Sequence, residues 1–414
     1  MRGLLNLQVF RPNEKLSIKL FFTSTILGLV ILFLGTLNGP FSVFTVLASI
    51  LTGFYGIFIY INKYTCNLYT RYLLFLLFYF VVVGISYGNI NLSFRGGDFG
   101  WIFTQDIRYV MYFIIGSVFA NKRYMPVFHE FMRYIGFSSI IATFFGLFFF
   151  NFDIQNINDR TGTWNFSYYC WWFSSACFSY WGYYAIIMKK EKILGYSVLL
   201  SYFILGVLFL KRSVLINMIV LLLIAIFFSN KNSFKFLGRI IIIMAIILFI
   251  TFIVNNILHL QTIDAIFNLL YDRFNTIDDL SGIDRVEEWK EYFAEASFFQ
   301  LIFGNGIGHY PFVKVFEWHI INALHIGIYN IIFKGGILYA LFYIFLYKRI
   351  FHKLFKFHSL EKYELVCLGV ALSALISLFF EGSWTYTIEP LCISAPIFYV
   401  ALNKKYENKT YRKI

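Results

Sequence analysis

Long apolar runs separated by short polar segments make up most of the chain. A run of about 20 apolar residues is long enough for a helix to cross the hydrocarbon core of a membrane. The runs therefore predict an all-α polytopic membrane protein with about twelve transmembrane helices. The predicted spans are 20–37, 41–61, 72–88, 101–120, 134–152, 165–188, 193–210, 213–229, 238–256, roughly 320–347, 363–381 and 386–402.

One long polar stretch interrupts this pattern between the ninth and tenth spans. Residues 257–319 form a large loop outside the membrane, and an amphipathic helix is predicted within it over about 283–299. Helical spacing brings an arginine and three aromatic residues onto one face of that helix, namely Arg285, Trp289, Tyr292 and Phe293. We expect this face to lie against the membrane or over the mouth of a cavity.

The apolar run 320–347 differs from the other spans. As one helix its 28 residues would extend about 42 Å, against a hydrocarbon core of about 30 Å. Lys334, Gly335 and Gly336 also interrupt its middle. We predict that the part around His319 and His325 lies at, or dips into, the outer interface, and that a spanning helix begins near Gly335.

These patterns divide the chain into four parts. Residues 1–256 hold spans one to nine, and 257–319 form the outer loop. Residues 320–402 hold the re-entrant or interfacial segment and the last three spans, and 403–414 form a basic tail.

Composition and charge agree with this class and orient the chain. Of its 414 residues 59% are hydrophobic and 14% are charged, whereas soluble domains average about 25% charged residues. Basic residues mark the cytoplasmic side of membrane proteins, and most of the 35 Lys and Arg lie inside if the N-terminus is cytoplasmic. We predict cytoplasmic termini at both ends. The net charge of +13 then reflects topology and indicates no nucleic-acid partner.

A few basic residues on the outer side depart from this rule. Lys211 and Arg212 stand together between the seventh and eighth spans, far in sequence from any acidic residue. Arg108 lies just inside the outer end of the fourth span, two residues from Asp106. A charge at membrane depth costs about 2.5–3.5 kcal/mol. Lys211 and Arg212 therefore either extend to outer lipid headgroups or contact an anion such as a phosphate.

Aromatic residues gather at the outer end of the sixth span. Trp164 and Trp172 stand there among several tyrosines. An interfacial aromatic belt explains such a cluster, and a wall on which sugar rings stack would have the same sequence. Both interpretations stay open at this stage.

Three histidines and a glycine-rich turn follow the amphipathic helix. His309, His319 and His325 lack the spacing of a metal pair, and the five cysteines lack it too, so no metal or other cofactor is predicted. Each histidine is either a structural group or a base that works near neutral pH. GNGIG, with Gly304 and Gly306, predicts a tight turn whose exposed backbone N–H groups can meet an anion.

These elements together resemble the O-antigen polymerase and ligase superfamily. That family has an Arg-x-x-x-Trp helix, a glycine turn, and a His-Asn-x9-Gly-x-x-Gly segment that enters a span. Here Arg285 and Trp289 stand in SGIDRVEEW, the turn follows in LIFGNGIG, and Gly336 comes eleven positions after His325. LFLKRSVLI is similar to the family's Ser-Arg element and supplies Arg212. The resemblance covers about residues 205–345.

Three positions depart from the family pattern. Ile326 replaces the usual Asn, Tyr339 replaces the last Gly, and Lys211 stands where Ser often does. The ligase form keeps the His-Asn pair more strictly, so these departures favour a polymerase.

The resemblance implies a GT-C-like glycosyltransferase in the bacterial inner membrane. It would join polyprenyl-diphosphate-linked oligosaccharide repeat units at the outer face, for O-antigen or capsule, with inversion and without a metal. Donor and acceptor are then both lipid-linked oligosaccharides, and a chain-length regulator protein is a further expected partner.

The implied roles of residues follow from a diphosphate leaving group, whose developing charge needs fixed cations. Arg212 and Arg285 are the first candidates for that role, followed by Lys211 and Arg108, and Arg285 also counts as a catalytic candidate. The attacking hydroxyl benefits from a base, for which His325 and then His319 are candidates, with Glu287 or Glu288 to orient it. The candidate glycan contacts are Trp289, Trp164, Trp172 and Glu288.

Three other functions compete with a polymerase. An O-antigen ligase would pass the glycan to a different acceptor. A twelve-span flippase for lipid-linked oligosaccharides would show two similar halves and no large late loop, and the sequence shows neither repeat nor matching loop. A non-catalytic scaffold would not explain the outer cations.

Overall fold

The computed structural model describes residues 125–149, 178–208, 212–229, 283–306, 327–379 and 389–402, with single helical positions between 72 and 83 and between 113 and 120. Every regular element in these residues is helical, and they contain no strand. This agrees with the predicted all-α class. The predicted count of twelve spans involves residues outside these ranges.

The described ranges contain eight α-helices. They are α1 (Met125–Phe149), α2 (Lys192–Leu208), α3 (Arg212–Ser229), α4 (Ile283–Glu295), α5 (Phe298–Phe303), α6 (Gly327–Leu354), α7 (Lys362–Ser377) and α8 (Glu389–Leu402). A π-helix at Tyr184–Met188 precedes α2, and a 3₁₀-helix at Phe357–Ser359 precedes α7.

Helix α6 is long and apolar enough to cross a membrane, the one described helix that meets both conditions, with 28 residues. Shorter apolar helical stretches lie at Lys192–Ile204, Ile216–Phe228 and Cys392–Leu402. Large apolar side chains also face outward from several helices, among them Ile141, Leu200, Leu223 and Ile344. Exposure of so much apolar surface to water is unfavourable, and this favours contact of these surfaces with lipid.

Aromatic side chains form much of the helix packing, and their polar tips find partners inside it. The indole N–H of Trp181 donates to the Met132 carbonyl at 2.8 Å. The Tyr183 hydroxyl lies 2.6 Å from the Ser373 hydroxyl, and Tyr347 donates to the Ala371 carbonyl at 3.2 Å. These bonds avoid the cost of burying an unpaired polar group. They join α1 and α7 to residues 178–183, and α6 to α7.

Charged side chains meet at one end of these helices in a group that we term the ionic cluster: His129, Arg133, Glu191 and Tyr180. The Arg133 guanidinium donates to both oxygens of Glu191, at 3.0 and 2.7 Å. His129 Nε2 lies 2.9 Å from Glu191 Oε1, and its Nδ1 lies 2.7 Å from the Tyr180 hydroxyl. The Tyr180 hydroxyl in turn lies 3.1 Å from that of Tyr363, in the first turn of α7.

The bonds from Arg133 lower the pKa of the Glu191 carboxyl, against the opposing effect of partial burial and with further help from His129. Glu191 itself has a positive φ of 46°, as does Lys189 at 58°. Few residues other than glycine adopt this conformation. The turn before α2 therefore stores some backbone strain while it presents Glu191 to α1.

The ionic cluster also explains why helix α1 begins before the predicted fifth span. The fifth span was expected to begin at 134, whereas α1 begins at Met125. The prediction stopped at the polar residues His129, Glu130 and Arg133. These residues do not end the helix, because His129 and Arg133 use their polar groups on Glu191.

Candidate functional site

The amphipathic helix predicted over about 283–299 is two helices. Helix α4 ends at Glu295 and α5 begins at Phe298. Between them Ser297 accepts a hydrogen bond from the Gln300 N–H at 3.3 Å, and the Gln300 side chain accepts one from the Ser297 N–H at 2.8 Å. This capping box starts a new helix and therefore ends the one before it.

The aromatic face of α4 packs on the beginning of α6. Trp289 stacks on Tyr329, with ring centroids 4.9 Å apart, and Phe293 contacts the same tyrosine edge-on at 5.8 Å. Tyr292 is buried against Phe333 at 5.0 Å. The predicted grouping of Trp289, Tyr292 and Phe293 on one face is confirmed. The contact they make is with α6, and that was not predicted.

Helix α6 is broken at Gly336, where φ is 60° and ψ is −158°. The prediction that this apolar run is not one straight helix is confirmed, and the break lies next to Gly335; that a spanning helix begins there stays a prediction. Helix α4 packs on the first part of α6, from Gly327 to Gly335. The helix continues to Leu354, past the predicted end at 347.

The break is bonded to the turn that follows α5, and we call this contact the glycine joint: Gly304–Gly306 together with Phe333–Gly336. The Asn305 N–H donates to the Phe333 carbonyl at 2.9 Å, and the Gly306 N–H donates to the Lys334 carbonyl at 2.9 Å. In a regular helix these carbonyls would pair with N–H groups beyond Gly336. The turn thus supplies hydrogen bonds to carbonyls at the break.

Only glycine fits at two positions of the joint. Gly304 has a φ of 72°, and a Cβ there would lie 2.5 Å from the Lys334 oxygen and the Gly335 nitrogen. A Cβ on Gly336 would collide with the Ile302 carbonyl. Both positions therefore need a left-handed conformation and backbone-to-backbone contact.

The hydrogen bonds of the joint correct the prediction made for GNGIG. Its backbone N–H groups were expected to be exposed and able to meet an anion. Gly304, Asn305 and Gly306 are buried, and their N–H groups donate to Gln300, Phe333 and Lys334 respectively. That prediction is wrong for these three residues, because carbonyls of α5 and of the break in α6 accept their N–H groups.

Asn305 is the central polar group of the joint, and the sequence analysis did not identify it. Its side chain is fully buried. Its amide nitrogen donates to the Tyr292 hydroxyl at 2.5 Å and to the Phe333 carbonyl at 3.0 Å, and its oxygen accepts from Gln300 at 3.0 Å. One side chain therefore connects α4, α5 and α6. The Ser-x-x-Gln pattern at Ser297 was a signal for part of this arrangement.

Two tyrosines attach the joint to the helical positions near 79. The Tyr72 hydroxyl donates to the Leu338 carbonyl at 2.6 Å, just past the break, and its ring stacks on Phe342. The Tyr79 hydroxyl donates to the Phe303 carbonyl at the end of α5. Tyr72 and Tyr79, both at helical positions, thus hold the second half of α6 and the end of α5.

Two further polar side chains are buried on the first part of α6, one turn apart. Lys334 has its ammonium 5.4 Å from the centre of the Phe333 ring, a distance typical of a cation–π contact. Asn330 is buried, and its side-chain oxygen has no hydrogen-bond partner among the described residues. An acceptor left in this state costs about 1–3 kcal/mol.

The candidate residues predicted from sequence are described to different extents. Trp289 is described, and one face of its ring is occupied by Tyr329. The backbones of Arg285 and Glu288 lie in α4, and Arg212 is the first residue of α3, but their side chains lie outside the described part. The remaining candidates lie outside the described residues: His325, His319, Lys211, Arg108, Trp164 and Trp172.

The helix that contains Arg285 and Trp289 is thus packed on the helix that begins two residues after His325, and the glycine joint holds them together. Comparison of the chain with protein-family models, with curated proteins and with solved structures gives no match.

Proposed function

We propose that the protein is a polysaccharide polymerase. In this proposal it joins polyprenyl-diphosphate-linked oligosaccharide repeat units at the outer face of the cytoplasmic membrane. The transfer inverts the anomeric centre and needs no metal.

One observation supports this proposal above the others. The three sequence elements that resemble the polymerase and ligase superfamily are the Arg-x-x-x-Trp helix, the glycine turn and the segment leading to Gly336. In the structure α4, the turn after α5 and the first part of α6 form one packed unit. This unit brings together residues some fifty positions apart, as a shared site requires.

The proposed chemistry assigns a role to each group of residues. Arg285 and Arg212 bind the diphosphate, and their charge stabilises the leaving group as the glycosidic bond breaks. Lys211 and Arg108 are second candidates for the same role. His325, or else His319, takes the proton of the attacking sugar hydroxyl. The lipid end of each substrate is compatible with the apolar exterior of the helices and with α6 as a candidate membrane span.

Reconstitution tests the proposal directly. The full-length protein in liposomes, supplied with lipid-linked repeat units and EDTA, is expected to make a ladder of polymer. Recovery of translocated monomer alone would instead indicate a flippase, and transfer of a single glycan to another acceptor would indicate a ligase. Strict dependence on a divalent metal would contradict the proposed mechanism.

Substitution of the cations tests the roles within that assay. Arg285→Ala and Arg212→Ala are each expected to lower the rate by about 10²–10³, the effect of removing one stabilising group from a transition state. Lys290→Ala is a matched control, because Lys290 is an exposed basic residue on the same helix α4. If the arginine variants retained the wild-type rate, or if Lys290→Ala were equally inactive, the diphosphate-binding role would be refuted.

A further inference from the structure

We propose that Asn305 is a positioning residue: it fixes α4, the helix that contains Arg285, against the break in α6 and so sets where α4 lies along the first part of α6. This inference rests on the proposed function for its catalytic consequence. Its structural part stands on the contacts of Asn305 alone.

Both polar atoms of the Asn305 side chain make hydrogen bonds. A neutral amide has two N–H donors and an acceptor oxygen, and in this protein the donors bind Tyr292 and Phe333 while the oxygen binds Gln300. The Phe333 carbonyl accepts from both the backbone and the side chain of Asn305. These bonds lie in a buried site, where geometry is enforced because an unmade bond is costly.

The hydrogen bond from the Asn305 side chain to the Tyr292 hydroxyl connects Asn305 to α4. Tyr292 is buried between Phe293 and Phe333, and it follows Trp289 by three residues and Arg285 by seven, about two turns of helix. The ring contacts hold α4 close to α6 but tolerate sliding, because apolar contacts are non-directional. A hydrogen bond is directional. Asn305 therefore decides the register of α4 along α6.

The carbonyls at the break make this register depend on the conformation of α6. Asn305 and Gly306 can donate to Phe333 and Lys334 only while Gly336 keeps its left-handed conformation. Gly304 and Gly336 touch backbone to backbone, so neither can move without the other. Docking of α4 and the broken conformation of α6 thus depend on each other, and the Asn305 side chain connects them.

Two variants of graded severity test this inference in the full-length protein. Asn305→Ala removes all three side-chain bonds, and Tyr292→Phe removes one while it keeps the ring that packs on Phe333. Tyr347→Phe is the matched control: it also deletes one buried tyrosine bond on α6, to Ala371, away from the joint.

Hydrogen exchange measured by mass spectrometry gives the structural result without reference to activity. For Asn305→Ala we expect exchange of peptides covering residues 289–306 and 333–338 to increase by more than about tenfold, because three buried bonds are lost and one typical buried bond accounts for about tenfold. Tyr292→Phe should give a smaller increase in the same peptides. Exchange of 289–306 that is unchanged in Asn305→Ala, or equally raised in Tyr347→Phe, would overturn the inference.

Kinetics with lipid-linked repeat units separate positioning from simple stability. Per folded protein, we expect kcat of Asn305→Ala to decrease by about tenfold or more while KM changes by less than about twofold, because misplacement of a reacting group affects the transition state. Unchanged kcat per folded protein would refute a positioning role. If the wild-type protein made no polymer, the proposed function would fail, and the exchange experiment alone would decide whether Asn305 holds α4 on α6.

Discussion

The ionic cluster joins α1 to the turn before α2 through charged side chains, whereas the glycine joint joins α4, α5 and α6 through neutral groups and backbone. The two lie near opposite ends of α7. Tyr363 connects the ionic cluster to the first turn of α7, and the Ile328 N–H at the start of α6 bonds to the Leu378 carbonyl beyond its last turn. The 16 residues of α7 place about 24 Å between those ends.

The ionic cluster uses charged side chains and the glycine joint uses neutral groups because the two regions differ in their access to water. The Arg133 side chain is 44% exposed and that of Glu191 is 28% exposed, so both charges keep much of their hydration. Gly304, Asn305, Gly306 and Phe333 are buried, where an unpaired charge would be costly; the one charged side chain of the joint, Lys334, has its ammonium 5.4 Å from the centre of the Phe333 ring. Broken backbone in a dry environment is tolerated only where its polar groups are paired inside the protein. The glycine joint meets that condition with N–H groups and one amide.

The largest effect is expected from substitution in the glycine joint. Gly336→Ala places a Cβ against the Ile302 carbonyl and forces alanine into a left-handed conformation, which costs about 3 kcal/mol or more. We expect a marked loss of Tm in detergent, followed by thermal unfolding of the purified protein. Ile337→Ala is the control, since Ile337 is the next residue and half exposed. A Tm equal to the wild-type value would show that the break is not required.

A smaller, pH-dependent effect is expected in the ionic cluster. Because the folded state lowers the pKa of Glu191, its pairing stabilises the protein above the ordinary carboxyl pKa of about 4.3. The contribution is lost as the pH falls through the lowered value. Glu191→Gln should therefore reduce stability by about 1 kcal/mol at pH 7, and its Tm should converge with that of the wild type in acid.

The glycine joint provides the contrast for that experiment. The hydrogen-bonding side chains of Asn305, Gln300 and Tyr292 carry no charge at these pH values, so the Tm difference between the wild type and Asn305→Ala should stay constant from pH 7 to pH 4. A difference that disappeared in acid would mean that a titrating group contributes to the joint.

The smallest effect concerns backbone strain in the turn before α2. Lys189 has a φ of 58° and an exposed side chain, and glycine adopts that conformation without cost. Lys189→Gly should raise stability by about 0.5–1 kcal/mol, seen as a higher Tm. Lys192→Gly, in the first turn of α2, is the control and should lower it. A lower Tm for Lys189→Gly would indicate that the lysine side chain stabilises the turn.

Local features of the fold were predictable from sequence, and contacts between distant elements were not. The apolar runs predicted helices where α2, α3, α7 and α8 occur, because length and hydropathy act along the chain. The Lys334-Gly335-Gly336 interruption predicted the break in α6. Helix ends were less predictable, since α1 extends beyond its apolar part to reach Glu191.

The candidate site shows the same limit. Helical spacing alone grouped Trp289, Tyr292 and Phe293, and that grouping is confirmed, whereas its packing on α6 was not predicted. Asn305 was missed because a lone asparagine in a glycine turn is ordinary turn chemistry. Its role becomes visible only when Tyr292, Gln300 and Phe333 surround it.

By itself the sequence determined the helical class, the positions of most helices, the aromatic face of α4 and the place where α6 must break. Each depends on the periodicity, length or glycine content of a single stretch. The tertiary structure decided that α4 packs on α6, that the N–H groups of Gly304, Asn305 and Gly306 donate to carbonyls of α5 and α6 and not to an anion, and that Asn305 connects these helices. The physical reason is that a hydrogen bond needs a partner in place, and the partner for each of these groups lies on another part of the chain.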